Sequence, residues 1–170
     1  MKNFEVIKHI ESELSESQCR SLAEVINSAW PGSVEAYCQS IFNSKSNTRF
    51  RYVVWEGDMA IGTTICFNRI IKTILGDLTV FTIGGVCVLP NFKNLGVGKS
   101  IMKKILETVP TDAATCMLQT RNSLEDYFTK MGFKKASNNF RNNPFWDDIV
   151  MYYDNLQWTD GEIDINGPGW

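Results

Sequence analysis

The sequence predicts an α/β protein with a mixed, mostly antiparallel central sheet and helices on both faces of that sheet. Two observations predict this fold class. Three β-rich segments joined by tight turns occupy the middle of the chain, a pattern typical of an antiparallel meander. A helical segment and a buried strand follow them, as in a parallel βαβ unit. Since the 170 residues contain no repeats, we expect one domain, 1–170, with a core at about 4–154 and a tail at 155–170.

The first third of the chain predicts one strand and two helices. Residues 4–10 can form a strand. Ser15 and Gln18 have the spacing of a capping box, and apolar residues then recur at helical intervals until Trp-Pro-Gly at 30–32 ends the helix. Ser33 can cap the second helix.

The middle of the chain predicts the meander. Strands are expected at 50–54, 59–67 and 78–89, with turns at 56–58 and at Gly76-Asp77. Beyond Pro90 the apolar spacing becomes helical at 97–106, and 114–120 is typical of a buried strand. Ser123 and Asp126 indicate another helix start and Gly132 its end, with closing strands expected at 133–138 and 149–153.

Composition narrows the class of protein. Apolar residues make up 44% and charged residues 21% of the chain, as in ordinary globular proteins. No apolar run approaches the roughly 20 residues of a membrane span, and the start has no signal-peptide segment, so we expect a cytoplasmic protein without a membrane partner. The five cysteines form no CxxC pair and His9 is the single histidine. We therefore expect buried reduced thiols and no metal.

Charge is distributed unevenly along the chain. From Asn142 to Trp170 there are six acidic residues and no Lys or Arg, so the preceding part is net basic. The acidic end argues against a nucleic acid partner. A polyanion bound by the first part and a cation received by the tail would suit this asymmetry. A solvated acidic terminus explains it equally well.

The most informative segment is 86–100, Val-Cys-Val-Leu-Pro-Asn-Phe-Lys-Asn-Leu-Gly-Val-Gly-Lys-Ser. A strand leads into a glycine-containing turn that opens a helix. Such a turn presents free backbone N–H groups and the positive end of the helix dipole, which together form an anion site. Gly96 and Gly98 remove side chains that would keep phosphate oxygens away from these amides.

Three phosphate-binding motifs compete for this segment. A Walker loop would need glycine where Lys93 stands, and a dinucleotide fingerprint would need glycine at Ile101. The order Val-x-Pro, basic residue, two positions, Gly-x-Gly and amphipathic helix resembles the pyrophosphate loop of GNAT acetyltransferases, although that family usually has Arg or Gln at the position of Lys93. The run Phe-Thr-Lys-Met-Gly-Phe at 128–133 resembles the family's Tyr-x-x-x-Gly-Phe ending. The resemblance covers roughly residues 4–154.

The resemblance implies a GNAT-like fold and N-acyl transfer from acetyl-CoA, or another acyl-CoA, to an amine. It implies a bulged strand before the loop, which splays from the next strand and receives the pantetheine arm. Gly84-Gly85 are placed for that bulge, with close packing as the alternative. Asn122 is an implied contact that can instead cap the next helix, as can Ser123. The implied cofactor contacts are Val86, Cys87, Val88, Lys93, Asn94, Leu95, Gly96, Val97, Gly98, Lys99, Asn122 and Phe128.

The implied chemistry is direct attack of a neutral amine on the thioester. It needs a base, an N–H donor for the oxyanion near Val88, and an acid for the departing thiolate. The family tyrosine falls on Phe128, and a glutamate of many relatives aligns with Gly84, so both roles are unassigned. Tyr127 is adjacent but points about 100° away around a helix. A water relay or an unaided thiolate are the alternatives.

The tail at 158–170 resembles the C-terminal extension of aminoglycoside 2'-N-acetyltransferases, and its Asn-Gly-Pro resembles the tail of nodulation acyltransferases. This implies a small cationic amine, such as an amino-sugar, as acceptor. The catalytic candidates are Tyr127, Asp164 and the α-carboxylate of Trp170. The alternatives are a disordered tail, a protein or peptide acetyltransferase, and a catalytically silent acyl-CoA sensor. A homodimer is compatible with the sequence, which leaves the oligomeric state open.

Overall fold

The computed structural model describes residues 4–44, 48–141, 148–153 and 161–165. This part of the chain forms four α-helices and nine strands in a mixed, mostly antiparallel α/β fold, which confirms the predicted fold class. The chain divides into two compact units. Unit 1 comprises Met1–Phe67 and Gly85–Thr108, and unit 2 comprises Asn68–Gly84 and Val109–Trp170.

The helices are α1 (Glu16–Ala29), α2 (Val34–Asn43), α3 (Val97–Glu107) and α4 (Glu125–Thr129). The strands are β1 (Ile7–Ile10), β2 (Arg49–Glu56), β3 (Met59–Thr73), β4 (Gly76–Val88), β5 (Cys116–Arg121), β6 (Phe133–Lys135), β7 (Phe140–Arg141), β8 (Asp148–Tyr153) and β9 (Ile163–Asp164). Three short 3-10 turns lie at Glu11–Glu13, Pro90–Phe92 and Asn122–Leu124. No helix among these described segments is long and apolar enough to cross a membrane.

Unit 1 has the strand order β1-β2-β3-β4, with antiparallel pairing from β1 to β3. Val53 of β2 packs in the apolar cluster formed with α1 and α2. The neighbouring Tyr52 hydrogen-bonds through its hydroxyl to Thr108 Oγ1 at 2.9 Å, at the end of α3. Because successive side chains of a strand point to opposite faces, helices cover both faces of unit 1, as predicted.

The helix starts predicted for α1 and α2 are confirmed. Ser15 Oγ accepts from Gln18 N–H at 3.3 Å, and Gln18 Oε1 accepts from Ser15 N–H at 2.9 Å, which completes the capping box. Ser33 Oγ accepts from Ala36 N–H at 3.2 Å at the start of α2. These caps satisfy N–H groups that a helix leaves without backbone acceptors.

Unit 2 has the strand order β3-β4-β5-β8-β6. Strands β4 and β5 are parallel, with Phe81 opposite Cys116 and Ile83 opposite Leu118, which confirms the predicted parallel pair. Strand β8 pairs antiparallel with both β5 and β6. The predicted helix start at Ser123 and Asp126 is wrong: a 3-10 turn occupies Asn122–Leu124, α4 begins only at Glu125, and no side chain of the described chain caps it.

The C-terminal region differs most from the expectation. The sequence placed 155–170 in a tail outside the core, whereas Ile163 and Ile165 are fully buried in unit 2 with Ile71, Val80 and Met117. Strand β9 pairs with β7 and also with β3, where Lys72 lies opposite Asp164. The part of β3 that pairs with β9 lies beyond the predicted end of this strand at residue 67, and β3 extends to Thr73.

A buried ion pair joins Arg51 of β2 to Glu11 of the first 3-10 turn in unit 1. Arg51 Nη2 lies 3.0 Å from Glu11 Oε1, and the two side chains are 9% and 2% exposed. Glu11 Oε2 and Arg51 Nε have no hydrogen-bond partner among the described residues. Both charges have therefore lost most of their hydration, and each depends on the other for compensation.

We expect Arg51→Met to destabilise the protein by roughly 3–5 kcal/mol, because it leaves the Glu11 carboxylate buried without a countercharge. Urea unfolding measures the change. The matched control is Arg20→Met, since Arg20 and Glu35 form a pair of similar length, 2.9 Å, at 49% and 56% exposure. That control should cost no more than about 1 kcal/mol. Equal effects of the two substitutions would contradict the assignment of a buried pair.

We expect Ile163→Ala to destabilise the protein by roughly 2–5 kcal/mol, because it opens a cavity in the apolar cluster of unit 2. The control is Ile70→Ala on β3, whose side chain is 50% exposed and should cost far less. Denaturant titration compares the two variants. An Ile163→Ala protein as stable as the control would place residues 161–165 outside the core.

Candidate functional site

The segment 89–99 leads from β4 into α3 and forms the first part of the candidate site, all of it in unit 1. The 3-10 turn Pro90–Phe92 turns the chain out of the strand. Asn94 and Gly96 then adopt left-handed conformations, with φ of 62° and 101°, which Asn and Gly tolerate better than other residues. Helix α3 begins directly afterwards at Val97.

The start of α3 is the terminus that the sequence predicts as an anion site. Gly96 is its N-cap residue, and within the described ranges no side chain caps this terminus. Ser100 N–H donates to Gly96 O at 2.9 Å and closes the first turn. The N–H groups that precede this bond have no acceptor within a helix and lie at the positive end of the dipole; they belong to Val97, Gly98 and Lys99. The side chains of Lys93 and Lys99 are exposed, so positive charge can reach an anion there.

Strand β4 carries a backbone irregularity just before this segment. Gly85 has a φ of 57° inside the strand, as a glycine in a bulge does. A Cβ atom on Gly85 would approach no closer than 4.0 Å to Ile65 Cγ2. Since that contact is loose, the backbone conformation requires the glycine at 85, and close packing does not. The irregularity expected at Gly84-Gly85 is therefore present.

The three residues between Gly85 and Leu89 differ in how far their side chains are buried. Cys87 is buried, and its thiol donates to Thr63 O at 3.7 Å. Val86 and Val88 are half-buried. Since the Cys87 side chain is engaged in the core, a cofactor can meet this residue only through its backbone, as the sequence predicts.

The cysteines lie in the interior of the protein. All five are free and buried, which confirms the predicted buried thiols. Burial raises the pKa of the Cys87 and Cys116 thiols to about 12, so both stay protonated near neutral pH. In the described segments no group of three or more His, Cys, Asp or Glu residues is placed to hold a metal ion.

Asn122 follows β5 in unit 2. It opens the 3-10 turn, and its Oδ1 accepts from Lys135 Nζ at 3.4 Å. The same ammonium group lies 3.0 Å from Glu125 Oε2. The cap role that the sequence offered to Asn122 is not observed, since its side-chain oxygen faces Lys135. Its contact with a cofactor stays a prediction.

Tyr127 and Phe128 occupy different environments on α4. Phe128 is 5% exposed and packs edge-on against Phe133, which in turn packs against Tyr153. Tyr127 is exposed, with its ring 5.1 Å from that of Phe128. Partial desolvation raises the pKa of Tyr127 above its ordinary value, so its hydroxyl keeps its proton at neutral pH. The two adjacent side chains therefore differ in burial although their rings are in edge contact.

Two described acids of the C-terminal region, Glu162 and Asp164, have basic neighbours that the sequence alone did not reveal. Arg141 Nε donates to Glu162 Oε1 at 2.9 Å, and Arg141 Nη2 contacts the same oxygen. Asp164 lies opposite Lys72 on β3 and opposite Arg141 on β7. Trp170 lies outside the described residues. The chemical roles of Asp164 and Trp170 stay predictions.

Each unit thus gathers its own share of the predicted site residues. Unit 1 holds the β4 segment Val86–Val88 and the cradle at 93–99. Unit 2 holds Asn122, α4 with Tyr127 and Phe128, and Asp164. The roles of these residues in cofactor binding and catalysis stay predictions.

Comparisons with known proteins give independent information. The family described as "Acetyltransferase (GNAT) domain" matches residues 12–136. No curated protein sequence matches the chain.

Solved structures resemble the fold. Escherichia coli ElaA is 22% identical, with a TM-score of 0.64, over 89% of this chain and 99% of that one. An acyl-CoA N-acyltransferase from Pseudomonas aeruginosa is 14% identical, with a TM-score of 0.64, over 88% of this chain and 99% of that one. Arabidopsis thaliana NAA60, in complex with a bisubstrate analogue, is 12% identical, with a TM-score of 0.64, over 88% of this chain and 97% of that one. At these identities the likeness shows the fold alone.

Proposed function

The chain belongs to the GNAT acetyltransferase family, and from that premise we propose that it is an N-acetyltransferase that transfers the acetyl group of acetyl-CoA to a small cationic amine. The observation that carries the proposal is the cradle at 93–99. Its left-handed residues Asn94 and Gly96 lead into a helix start without a described side-chain cap.

The residues present fit the pyrophosphate of coenzyme A. A pyrophosphate needs several N–H donors converging on one side, and the first turn of a helix supplies them with a favourable dipole. Gly98 is half-buried and lacks a Cβ atom that would hold phosphate oxygens away. Lys93 and Lys99 carry exposed positive charge on either side of the turn. Lys93 thereby fills the role for which the family usually has Arg or Gln.

When bound, acetyl-CoA supplies an acetyl thioester. The chain's contribution begins with β4, whose backbone at Val86–Val88 is proposed to bond the pantetheine arm like a short added strand. The Cys87 thiol is buried and protonated, so it does not compete as an acyl acceptor. This supports direct transfer to the amine and argues against an acyl-enzyme on Cys87.

Tyr127 is the proposed acid, and the carboxylates of Asp164 and Trp170 are proposed to help remove the proton of the acceptor's ammonium group. Tyr127 keeps a proton that it can donate, whereas Phe128 has no hydroxyl and is engaged in an aromatic cluster. We propose that Asp164 orients the ammonium group of the acceptor, together with the α-carboxylate of Trp170. The support is the resemblance of the tail to that of the aminoglycoside 2'-N-acetyltransferases, which implies an amino-sugar as acceptor.

A second function deserves a test because of Phe128. The family position for a proton-donating tyrosine is filled by a buried phenylalanine. A protein that binds acyl-CoA without turnover would tolerate that replacement, and such a protein would act as a sensor. Binding without thiol release therefore distinguishes the sensor from the enzyme.

We expect acetyl-CoA to stabilise the protein by about 2.7 kcal/mol at a concentration of about 100 times its Kd, because it binds only the folded form. Gly98→Val should abolish the rise in melting temperature, since the added side chain blocks the cradle. The control is Ser100→Val, whose N–H already bonds to Gly96 O and which should keep the rise. Normal binding by the Gly98→Val protein would refute the loop assignment.

We expect thiol release from acetyl-CoA with at least one member of a panel of polyamines and aminoglycosides. Asp164→Asn should lower kcat/KM for that amine by about tenfold or more, the value of one hydrogen bond to a charged group, without changing KM for acetyl-CoA. Asp77→Asn is the control, because it removes an exposed carboxylate of the same unit.

Equal effects of Asp164→Asn and Asp77→Asn would rule out a role for Asp164 at the acceptor. Binding of acetyl-CoA without thiol release by any amine of the panel would favour the sensor.

A further inference from the structure

Gly62 of β3 lies directly against the start of α3 in unit 1. A Cβ atom on Gly62 would lie 2.6 Å from Val97 Cγ1, 3.2 Å from Ile101 Cδ1 and 3.4 Å from Cys87 O. Ordinary carbon contacts lie at about 3.5–4.0 Å. The space at this position therefore admits a hydrogen atom and excludes a methyl group.

The need for glycine at this position is steric. Gly62 is not among the residues with positive φ, so alanine is compatible with its backbone. Gly85 is the opposite case, because its conformation requires glycine although space for a Cβ atom is present. A substitution at 62 thus probes the distance between elements without straining the strand.

The three contacts join the two halves of the cofactor site in unit 1. Val97 supplies an N–H of the cradle, and Cys87 lies in the β4 segment proposed for the pantetheine arm. Strand β4 is fixed on both sides of Gly62, because Leu89 N–H donates to Ile61 O at 2.9 Å and the Cys87 thiol donates to Thr63 O at 3.7 Å.

If a methyl group fills the space beside Gly62, the start of α3 is therefore the element that moves. Val97 is 1% exposed, and a valine in a helix has one strongly preferred rotamer, so its methyl group cannot turn away cheaply. Relieving a 2.6 Å contact requires a movement of about 1 Å. Hydrogen bonds of N–H groups span only about 2.7–3.2 Å, so such a shift takes the cradle out of range of a ligand held along β4.

We infer that Gly62 is a positioning residue for the cofactor: it sets the separation between the first turn of α3 and β4, so that one molecule of coenzyme A meets both. This inference rests on the proposed function. It assigns Gly62 no contact with the cofactor, since its effect passes through Val97. A displacement of about 1 Å in such a site can cost on the order of a hundredfold.

The test is calorimetric titration of the purified full chain with coenzyme A. Gly62→Ala is expected to raise Kd by tenfold or more, while the circular dichroism spectrum stays that of the parent protein. The double variant Gly62→Ala/Val97→Ala removes the two Cγ atoms of Val97 and keeps its backbone N–H. This double variant is expected to recover Kd to within a few fold, and Val97→Ala alone completes the cycle.

Gly32→Ala is the matched control. It adds the same methyl group in unit 1 with a close but less severe contact, 3.0 Å to the Tyr37 hydroxyl oxygen. Gly32 lies between α1 and α2 and Tyr37 lies on α2, so neither residue belongs to the cradle or to β4. We expect the Kd for coenzyme A to be unchanged. If Gly62→Ala does not fold, Val97→Ile crowds the same contact from the helix side and is expected to weaken binding as well.

The outcomes separate this inference from the proposed function. A parent protein that does not bind coenzyme A overturns both. A parent protein that binds it, with an unchanged Kd in Gly62→Ala or Val97→Ile, overturns the positioning role and leaves the proposed function intact. Weakened binding in Gly62→Ala that the double variant does not recover overturns positioning through Val97.

Discussion

A helix leaves the N–H groups of its first turn without backbone acceptors, and in unit 1 this constraint organises the candidate site. Helices α1 and α2 satisfy it with Ser15 and Ser33. Helix α3 begins at Val97, and its N-cap residue Gly96 has no side chain to offer. An uncapped start at the end of a strand is costly to bury and useful for an anion. The left-handed residues Asn94 and Gly96 precede that start, and we infer that the close contact between Gly62 and Val97 sets its position.

The described interior of unit 1 contains an apolar cluster, buried thiols and a buried ion pair. Its thiols are buried, and the pKa of Cys87 is raised by burial. Its buried charges, on Glu11 and Arg51, compensate each other. In the proposed function the reactive bond is that of the co-substrate, and β4 and α3 are the elements proposed to hold it. This division agrees with a family whose chemistry depends on positioning two substrates against each other.

The core of unit 2 depends on residues from the C-terminal region. It includes Ile163 and Ile165 from the C-terminal region, so residues there stabilise the fold as well as contributing acids. Glu162 accepts from Arg141, which removes one carboxylate from the set that could meet a cation. Phe128 completes an aromatic cluster at the position where relatives donate a proton. The acid role therefore stays a prediction, with Tyr127 and a water relay as its candidates and an unaided thiolate as the alternative.

Local features of this protein could be predicted from the amino-acid sequence. Caps, turns and apolar spacing act over a few residues, so short-range patterns can reveal them. Such patterns predicted the helix starts at Ser15 and Ser33, the parallel strand pair, the glycine turn at 96–98 and the buried cysteines. The helix start predicted from Ser123 was wrong, because a 3-10 turn takes the place of a capped first turn there.

Contacts between distant residues, in contrast, are known only from the folded chain. Glu11 pairs with Arg51, Glu162 with Arg141, and Gly62 with Val97, although nothing in their spacing indicates it. The extension of β3 and the strand β9 have the same origin, since each depends on a neighbour supplied from elsewhere in the chain. Strand register and helix packing set these contacts, and both are properties of the folded core, where a shift of one residue turns a side chain to the other face.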